Sequence, residues 1–256
     1  MIRLAVGAVL AAAVALAAYR TRALSLDGAI AAFVVGTIVV AAGGWSGAAI
    51  LLAFFVPSSL LTRMGSERKR LLRGTHGPAP RTAWQVLANG GVATLCAVAA
   101  LGASEPFNAA FAGAFAAASA DTWATEIGTL ARRRPVSILT FRPIETGLSG
   151  GVTLLGTCAM IAGALCVAVV ASLLRVAPLL PVAAAGIAGA MLDSIVGASL
   201  QARRWCPRCS CECETPQHYC GTPTTMRRGV RWLQNDAVNL TATLCGAIVA
   251  AALVAR

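Results

Sequence analysis

Charge is what this sequence has least of. Only 12% of its 256 residues are charged and 57% are hydrophobic, with a mean hydropathy of +0.74, where a soluble domain carries about a quarter charged residues. So few polar groups cannot cover a water-facing surface, which excludes a soluble enzyme, a disordered chain and a secreted disulfide scaffold. Acids are scarcer than bases, 10 against 21, and Lys69 is the only lysine. The resulting +11 net charge is of the kind that nucleic-acid binding exploits. In so apolar a chain, arginine-rich loops facing a cytoplasm and anionic lipid account for it better, and no nucleic-acid partner is expected. There is also no convincing internal repeat. What remains is an all-α polytopic membrane protein.

A membrane-crossing helix takes roughly 20 mostly apolar residues. Between charged and turn-rich breaks the chain offers about eight: 2–19, 27–43, 46–62, 84–103, 107–131, 150–174, 177–200 and 233–255. The second is short and glycine-rich, which suits a tilted or partly re-entrant segment. The fifth turns polar over its last dozen residues, and Pro178 and Pro181 predict a kink in the seventh. The first has the apolar stretch and small residues of a signal peptide, but Arg20 and Arg22 just after it favour a retained helix.

Basic residues test the count. If alternate connections, beginning with the first, face the cytoplasm, they hold 18 of the 21 bases, leaving Arg3, Arg175 and Arg256 opposite. That asymmetry fits the positive-inside rule and places both termini outside, in a cell inner (plasma) membrane. The outer connections (43–46, 104–107, 175–178) are too short to build a site. The long, polar connections at 63–83, 132–149 and 201–232 put the functional loops in the cytoplasm. The chain reads as one transmembrane domain, 1–256, carrying a Cys/His-rich cytoplasmic insert at 201–231.

Ionisable groups at membrane depth are costly and commonly line a cavity. Asp121 and Glu126 lie in the fifth span, Asp193 in the seventh and Asp236 at the start of the eighth. Amides accompany them at the same level: Gln85, Asn89, Gln201, Asn235 and Asn239. Positions four apart share a helix face, so Gln85 joins Asn89, Asn235 joins Asn239, and Asp193 joins Gly197 and Gln201. Asp121 and Glu126 are about 140° apart at roughly 100° per residue, so one unbroken helix does not aim both at one ion. Interhelical hydrogen bonding explains a single amide; four carboxylates at one depth beside arginines point instead to Mg²⁺ and phosphate. The segment Gly147-Leu148-Ser149-Gly150-Gly151, entering the sixth span after Arg142, has the glycine content of an anion-binding turn, although such a turn also suits simple membrane entry. It is neither a Walker A nor a Rossmann fingerprint.

Taken together, these motifs resemble one family. Arg81-Thr82-Ala83-Trp84-Gln85-Val86-Leu87-Ala88-Asn89-Gly90-Gly91, Ala120-Asp121-Thr122-Trp123-Ala124-Thr125-Glu126-Ile127-Gly128, the Gly147–Gly151 loop, Asp193-Ser194-Ile195-Val196-Gly197-Ala198 and Asn235-Asp236-Ala237-Val238-Asn239 occur in that order. The set resembles the integral membrane family that includes the plant and cyanobacterial phytyl-phosphate kinase of tocopherol synthesis, from about Ala23 to Gly246. More weakly, Asp121, Ala124 and Gly128 are similar to the D-x-x-A-x-x-x-G pattern of CTP-dependent membrane polyprenol kinases and cytidylyltransferases.

The resemblance implies phosphoryl transfer from a nucleoside triphosphate, CTP by the second similarity, to a prenyl monophosphate such as phytyl phosphate. The match supplies the residue set; the roles are our expectation. Asp121 and Asp193 are assigned to Mg²⁺, with Asp236 or Glu126 either as additional ligands or as partners that support the ligands from behind. Arg142 and the amides of Gly147, Ser149, Gly150 and Gly151 are assigned to nucleotide phosphates. Gln85, Asn89, Asn235 and Asn239 are assigned to substrate oxygens. An acceptor that is already a phosphate anion needs no general base, so catalysis would consist of positioning and charge neutralisation.

Five of the nine cysteines fall between 206 and 220. Cys206-x-x-Cys209 followed by His218-x-Cys220 supplies four soft ligands with the spacing of a closed tetrahedral Zn²⁺ site. Cys211 and Cys213 are substitutes, an iron–sulfur cluster is a minor option, and a metal-free reduced loop is the plain alternative. The plant members do not make this site look essential, so the resemblance implies a structural clip between the last two spans. Cys96, Cys158, Cys166 and Cys245 sit in apolar spans and read as small core residues; His76 lies in a basic loop without a partner in sequence.

Three rival functions use overlapping features. A CDP-lipid-forming cytidylyltransferase or a prenyl alcohol kinase would use much the same residues. A membrane transporter also favours glycine, alanine and buried acids, but here the acids gather at one face instead of the midplane. Composition leaves the oligomeric state open, a homodimer among the options.

Overall fold

The computed structural model describes residues 2–67, 69, 79–102, 104–218 and 220–255. Arg68, Arg70, Arg73 and His76 of the basic connection, and the terminal Arg256, lie outside the described residues. Among the described residues the fold is carried by seven helices: α1 (Ile2–Arg20), α2 (Leu26–Arg63), α3 (Ala83–Ala99), α4 (Ser104–Gly128), α5 (Leu154–Leu173), α6 (Leu179–Ser199) and α7 (Asn235–Val254). Among the described residues, α2, α5, α6 and α7 are long and apolar enough to cross a membrane, while α1 and α3 contain shorter apolar helices.

Helix α2 is two helices in tandem. Gly44 takes φ 64° and ψ −155°, a conformation that L side chains seldom adopt, and the chain reverses there. Ser25 Oγ, ahead of the first half, donates to Arg81 O at 2.9 Å, and the Arg81 guanidinium donates to Thr62 Oγ1 near the end of the second half at 3.2 Å. Both ends of α2 therefore lie at one level, beside the start of α3. Counting its halves separately, the described residues hold eight helical stretches that overlap the eight apolar stretches of the sequence.

Alanine-rich α4 is the centre. Ala112, Ala114, Phe115, Ala116, Ala117 and Ala120 are fully buried, and α3, α5, α6 and α7 all pack on this helix. Small side chains let the backbones approach closely, the means by which helices associate where lipid removes the hydrophobic drive. A Cβ on Gly246 of α7 would stand 2.5 Å from Gly113 O of α4, so that crossing admits only glycine. Phe111 and Phe115 of α4 meet edge-on at 5.3 Å, and Phe54 of α2 stacks on Phe115 at 5.6 Å. The outward faces are the larger ones, with Leu95, Leu154, Leu173, Leu180 and Ile248 exposed. Small residues inside and bulky aliphatics outside are the arrangement of a protein solvated by lipid.

Three sequence expectations change. Pro178 and Pro181 do not kink a helix: Pro178 is the N-cap of α6 and Pro181 lies in its first turn, where a missing N–H costs nothing. The sixth apolar stretch begins as a strand, because Gly151–Val152 (β2) pairs antiparallel with Val136–Ser137 (β1); Thr153 then caps α5 by accepting from Gly156 N at 3.0 Å. The insert, expected as a loop in an all-α chain, also carries a small β-sheet. Arg203–Cys206 (β3) pairs with Cys211–Cys213 (β4) and Thr225–Arg228 (β5) in a three-stranded sheet ordered β4-β3-β5.

Candidate active site

The connections between α2 and α3, α4 and α5, and α6 and α7 meet at one end of the helices and enclose a cavity of about 470 Å³. Its wall is polar where the surrounding bundle is not. Gln85 and Asn89 of α3, Asp121 and Glu126 of α4, Asp193 of α6, and Asn235 and Asn239 of α7 line it, with Gly147, Ser149, Gly150 and Gly151 across from them. The N-terminal turns of α3, α5 and α7 border the cavity and bring the partial positive charge of their helix ends to it. Local bonds fix them. Thr82 N donates to Gln85 Oε1 at 3.1 Å, Ala83 N donates to Asp27 Oδ2 at 2.9 Å, and Asn89 Nδ2 donates to Gln85 O at 2.8 Å.

The four acids separate. Asp121 and Asp193, on different helices, bring their carboxyl groups together, and the buried Asp193 Oδ2 has no hydrogen-bond partner among the described residues. Two adjoining carboxylates with an unsatisfied oxygen form a donor set suited to a hard divalent cation. Glu126, a turn further along α4, instead pairs with Lys69, Nζ to Oε2 at 2.7 Å. Asp236 does not line the cavity: Asn235 and Asn239 share the inward face of α7, and Asp236, one residue on, is turned about 100° away. The structure thus leaves Asp236 outside the lining that Asp121, Glu126 and Asp193 share.

Arg142 is displaced as well. It is exposed, outside the cavity wall, and its carbonyl is tied to Ser137 N at 2.9 Å in the turn that leads to β2. Among the described residues, the cations that do line the cavity are Lys69 and Arg81. Lys69 Nζ also donates to Leu61 O at 2.6 Å, and Arg81 is held through Thr62 and Ser58 O.

The glycine loop is shaped for close approach. Gly147 and Gly150 take φ 95° and 79°. The anion nest expected there is partly filled from within the chain, since Ser149 N and Oγ donate to the two carboxylate oxygens of Glu214 at 2.7 and 2.8 Å. Arg203, buried, donates to Ser149 O at 3.0 Å, and Gln201 Nε2 donates to Glu214 Oε2 at 2.9 Å. Burial pushes the Glu214 carboxyl up, while the bonds from Ser149 and the nearby Arg203 draw it back. Glu214 lines the cavity beside Asp193, making it the fourth acid of the wall after Asp121, Glu126 and Asp193.

Lys69, Arg81 and Glu214 were not expected here. The first two looked like any positive-inside base, although Lys69 stood out as the lone lysine. Glu214 is separated from every apolar span, and its adjacency to Cys213 was its only signal.

In the insert, ligand atoms of Cys206, Cys209, His218 and Cys220 lie within 4.8 Å of one another. The structure thus brings together the four residues that spacing selected, while Cys211 and Cys213 stay on β4.

Comparisons with known proteins set the chain among integral membrane proteins. The family model described as integral membrane protein DUF92 matches residues 9–247. Protein PGR of Arabidopsis thaliana is 32% identical over 94% of this chain and 93% of its own length. An uncharacterized membrane protein of Methanocaldococcus jannaschii, MJ0933, is 32% identical over 97% of this chain and 93% of its own. Chloroplastic protein VTE6 of Arabidopsis thaliana is 26% identical over 89% of this chain and 64% of its own. No solved structure matches.

Proposed function

The chain belongs to the integral membrane protein family DUF92, and from that premise we propose that it is a membrane phosphotransferase. It moves a phosphoryl group from a nucleoside triphosphate, CTP in the first instance, to a prenyl monophosphate such as phytyl phosphate. The similarity to VTE6 and the motif resemblance support the substrate class. The observation that carries the reading is the meeting of Asp121 and Asp193 in a polar cavity beneath three helix N-termini.

We take the eight helical stretches as eight passes, with the cavity on the cytoplasmic side of the inner membrane. The prenyl tail then lies against the lipid-facing helices while its phosphate reaches the cavity at headgroup level. An oxygen of the acceptor phosphate attacks the terminal phosphorus of the nucleotide. The bond from that phosphorus to the bridging oxygen breaks, and a nucleoside diphosphate leaves with the electron pair. The acceptor is already an anion, so no base takes a proton, and the protein's part is alignment and charge neutralisation.

Arg81 and Lys69 attract the phosphates from one wall, and the N-terminal turns of α3, α5 and α7 add the positive ends of their helix dipoles. Asn89, Asn235 and Asn239 orient oxygens of the two substrates. Asp121 and Asp193 are the residues that would hold Mg²⁺, with Glu214 adjacent; the ion supplies charge neutralisation on the transferred group.

The test is incubation of detergent-purified protein with labelled nucleoside triphosphates and phytyl or geranylgeranyl phosphate. The expected products are the prenyl diphosphate and a nucleoside diphosphate. Release of pyrophosphate would mark a cytidylyltransferase, and no consumption of either substrate would remove the phosphotransferase reading.

A further inference from the structure

We propose that Cys206, Cys209, His218 and Cys220 bind one Zn²⁺, and that this ion positions the glycine loop of the active site through Glu214 and Arg203. The idea rests on the phosphotransferase reading only for the word "active"; the metal and its mechanical consequence stand on the insert itself.

The four ligand atoms lie within 4.8 Å of one another, and two of their separations are near those of a tetrahedral site. Zn–S bonds of about 2.3 Å and Zn–N bonds of about 2.0 Å put neighbouring ligand atoms roughly 3.5–3.8 Å apart. Cys206 Sγ lies 3.6 Å from Cys220 Sγ, and His218 Nδ1 lies 3.3 Å from Cys220 Sγ. Cys209 N donates to Cys206 Sγ at 3.5 Å, which supports a thiolate at the C-x-x-C turn. The other ring nitrogen, His218 Nε2, is 3.5 Å from Cys211 Sγ; such outer partners orient a metal-bound imidazole.

Folding energetics point the same way. From 207 to 229, His218 is the only buried residue among those described. A three-stranded ribbon with no apolar core cannot hold its shape by hydrophobic burial, and small units of this kind depend on a metal or disulfides. All nine cysteines are free.

The ribbon is joined directly to the cavity. β3 begins with Arg203 and ends with Cys206; β4 ends at Cys213, and Glu214 follows. Arg203 grips the carbonyl of Ser149, and Glu214 grips its N–H and hydroxyl. Closing the Cys/His cluster fixes the register between β3 and the Glu214 strand, and so holds Ser149 from both sides. Glu214 and Arg203 act here as positioning residues.

Untagged protein purified in detergent is assayed for metal by mass spectrometry, exchanged with Co²⁺ for its tetrahedral thiolate spectrum, and followed by backbone hydrogen exchange with and without chelation. About one zinc per chain is expected, together with thiolate-to-cobalt absorption. Chelation, or a Cys206→Ser/Cys209→Ser variant, is expected to speed exchange in 147–151 by at least about tenfold, the effect of losing a hydrogen bond to a charged group. Exchange in α4 should be unchanged. Glu214→Gln should keep the zinc yet loosen the same segment. Absence of bound metal, with cysteines equally reactive before and after chelation, would overturn the site. Metal binding without any change at 147–151 on its removal would overturn the coupling. Neither readout requires turnover, so failure of the phosphotransferase assay is a separate result.

Discussion

Lys69 Nζ stands 2.7 Å from Glu126 Oε2 at the cavity wall, with the two side chains only 6% and 10% exposed. Removing one partner of a buried ion pair strands the other charge, at a cost of about 3–5 kcal/mol. Glu126→Gln and Lys69→Met should each lower thermal stability in detergent by that order. The double variant should recover much of it, because neither charge is then left alone. A double-mutant cycle from unfolding measurements reads the coupling directly; additive losses would show that the two residues act independently.

The Asp121–Asp193 pair should behave in the opposite sense. Adjoining carboxylates repel, so Asp121→Asn or Asp193→Asn relieves strain in the folded protein while removing a metal donor. Melting temperature should stay level or rise, and turnover should fall by at least about a hundredfold, as for loss of a group that stabilises transition-state charge. Paired melting and product assays on each variant check both halves. Wild-type turnover in Asp121→Asn would remove this pair from the chemistry.

Much of this site was legible because polar residues are conspicuous in apolar helices. Asp121, Asp193 and the amide pairs Gln85/Asn89 and Asn235/Asn239 stand out against alanine and leucine, and helical periodicity brings each amide pair to one face. The same argument failed at Asp236, because being in the right turn is not being on the right face. Loop residues carried no comparable signal. Arg142 drew attention by preceding the glycine loop, yet the β1–β2 turn holds it outside. Arg81 resembled the other loop arginines until its pairing with the end of α2 brought it to the wall. The reversal at Gly44 was foreshadowed by the short, glycine-rich second stretch. The β-ribbon was not, since its strands are two to four residues long and lack an apolar alternation.

Close helix crossings should govern stability more than any polar contact outside the site. Gly246→Val would push a side chain into Gly113 O and the Ala117 methyl, 2.5 and 2.7 Å from the new Cβ, and both α4 and α7 contribute residues to the cavity wall. Overpacking of this kind costs about 1–3 kcal/mol or more, so both melting temperature and turnover should drop. Gly43→Ala meets nothing within 4 Å and should leave stability within about 0.5 kcal/mol. Equal melting of the two variants would argue against the close α4–α7 approach.

The exchange of Arg142 for Arg81 as phosphate ligand can be tested by kinetics alone. Arg81 lies in the cavity wall between Thr62 and the start of α3, so Arg81→Gln removes a charge-assisted contact worth about 1.5–3 kcal/mol. That corresponds to roughly a ten- to hundredfold loss in kcat/KM at 1.4 kcal/mol per tenfold. Arg142 is exposed on the far side of the β1–β2 turn, and Arg142→Gln should leave both kinetic constants within a factor of about two, as for other surface substitutions. Because Arg81 also ties α2 to α3, Arg81→Lys serves as the control. It keeps the charge without the planar fork, and should restore part of the binding while stability follows the lost bond to Thr62. If Arg142→Gln abolished binding and Arg81→Gln did not, the glycine loop would have to turn outward during catalysis, and the cavity would no longer be where the nucleotide sits.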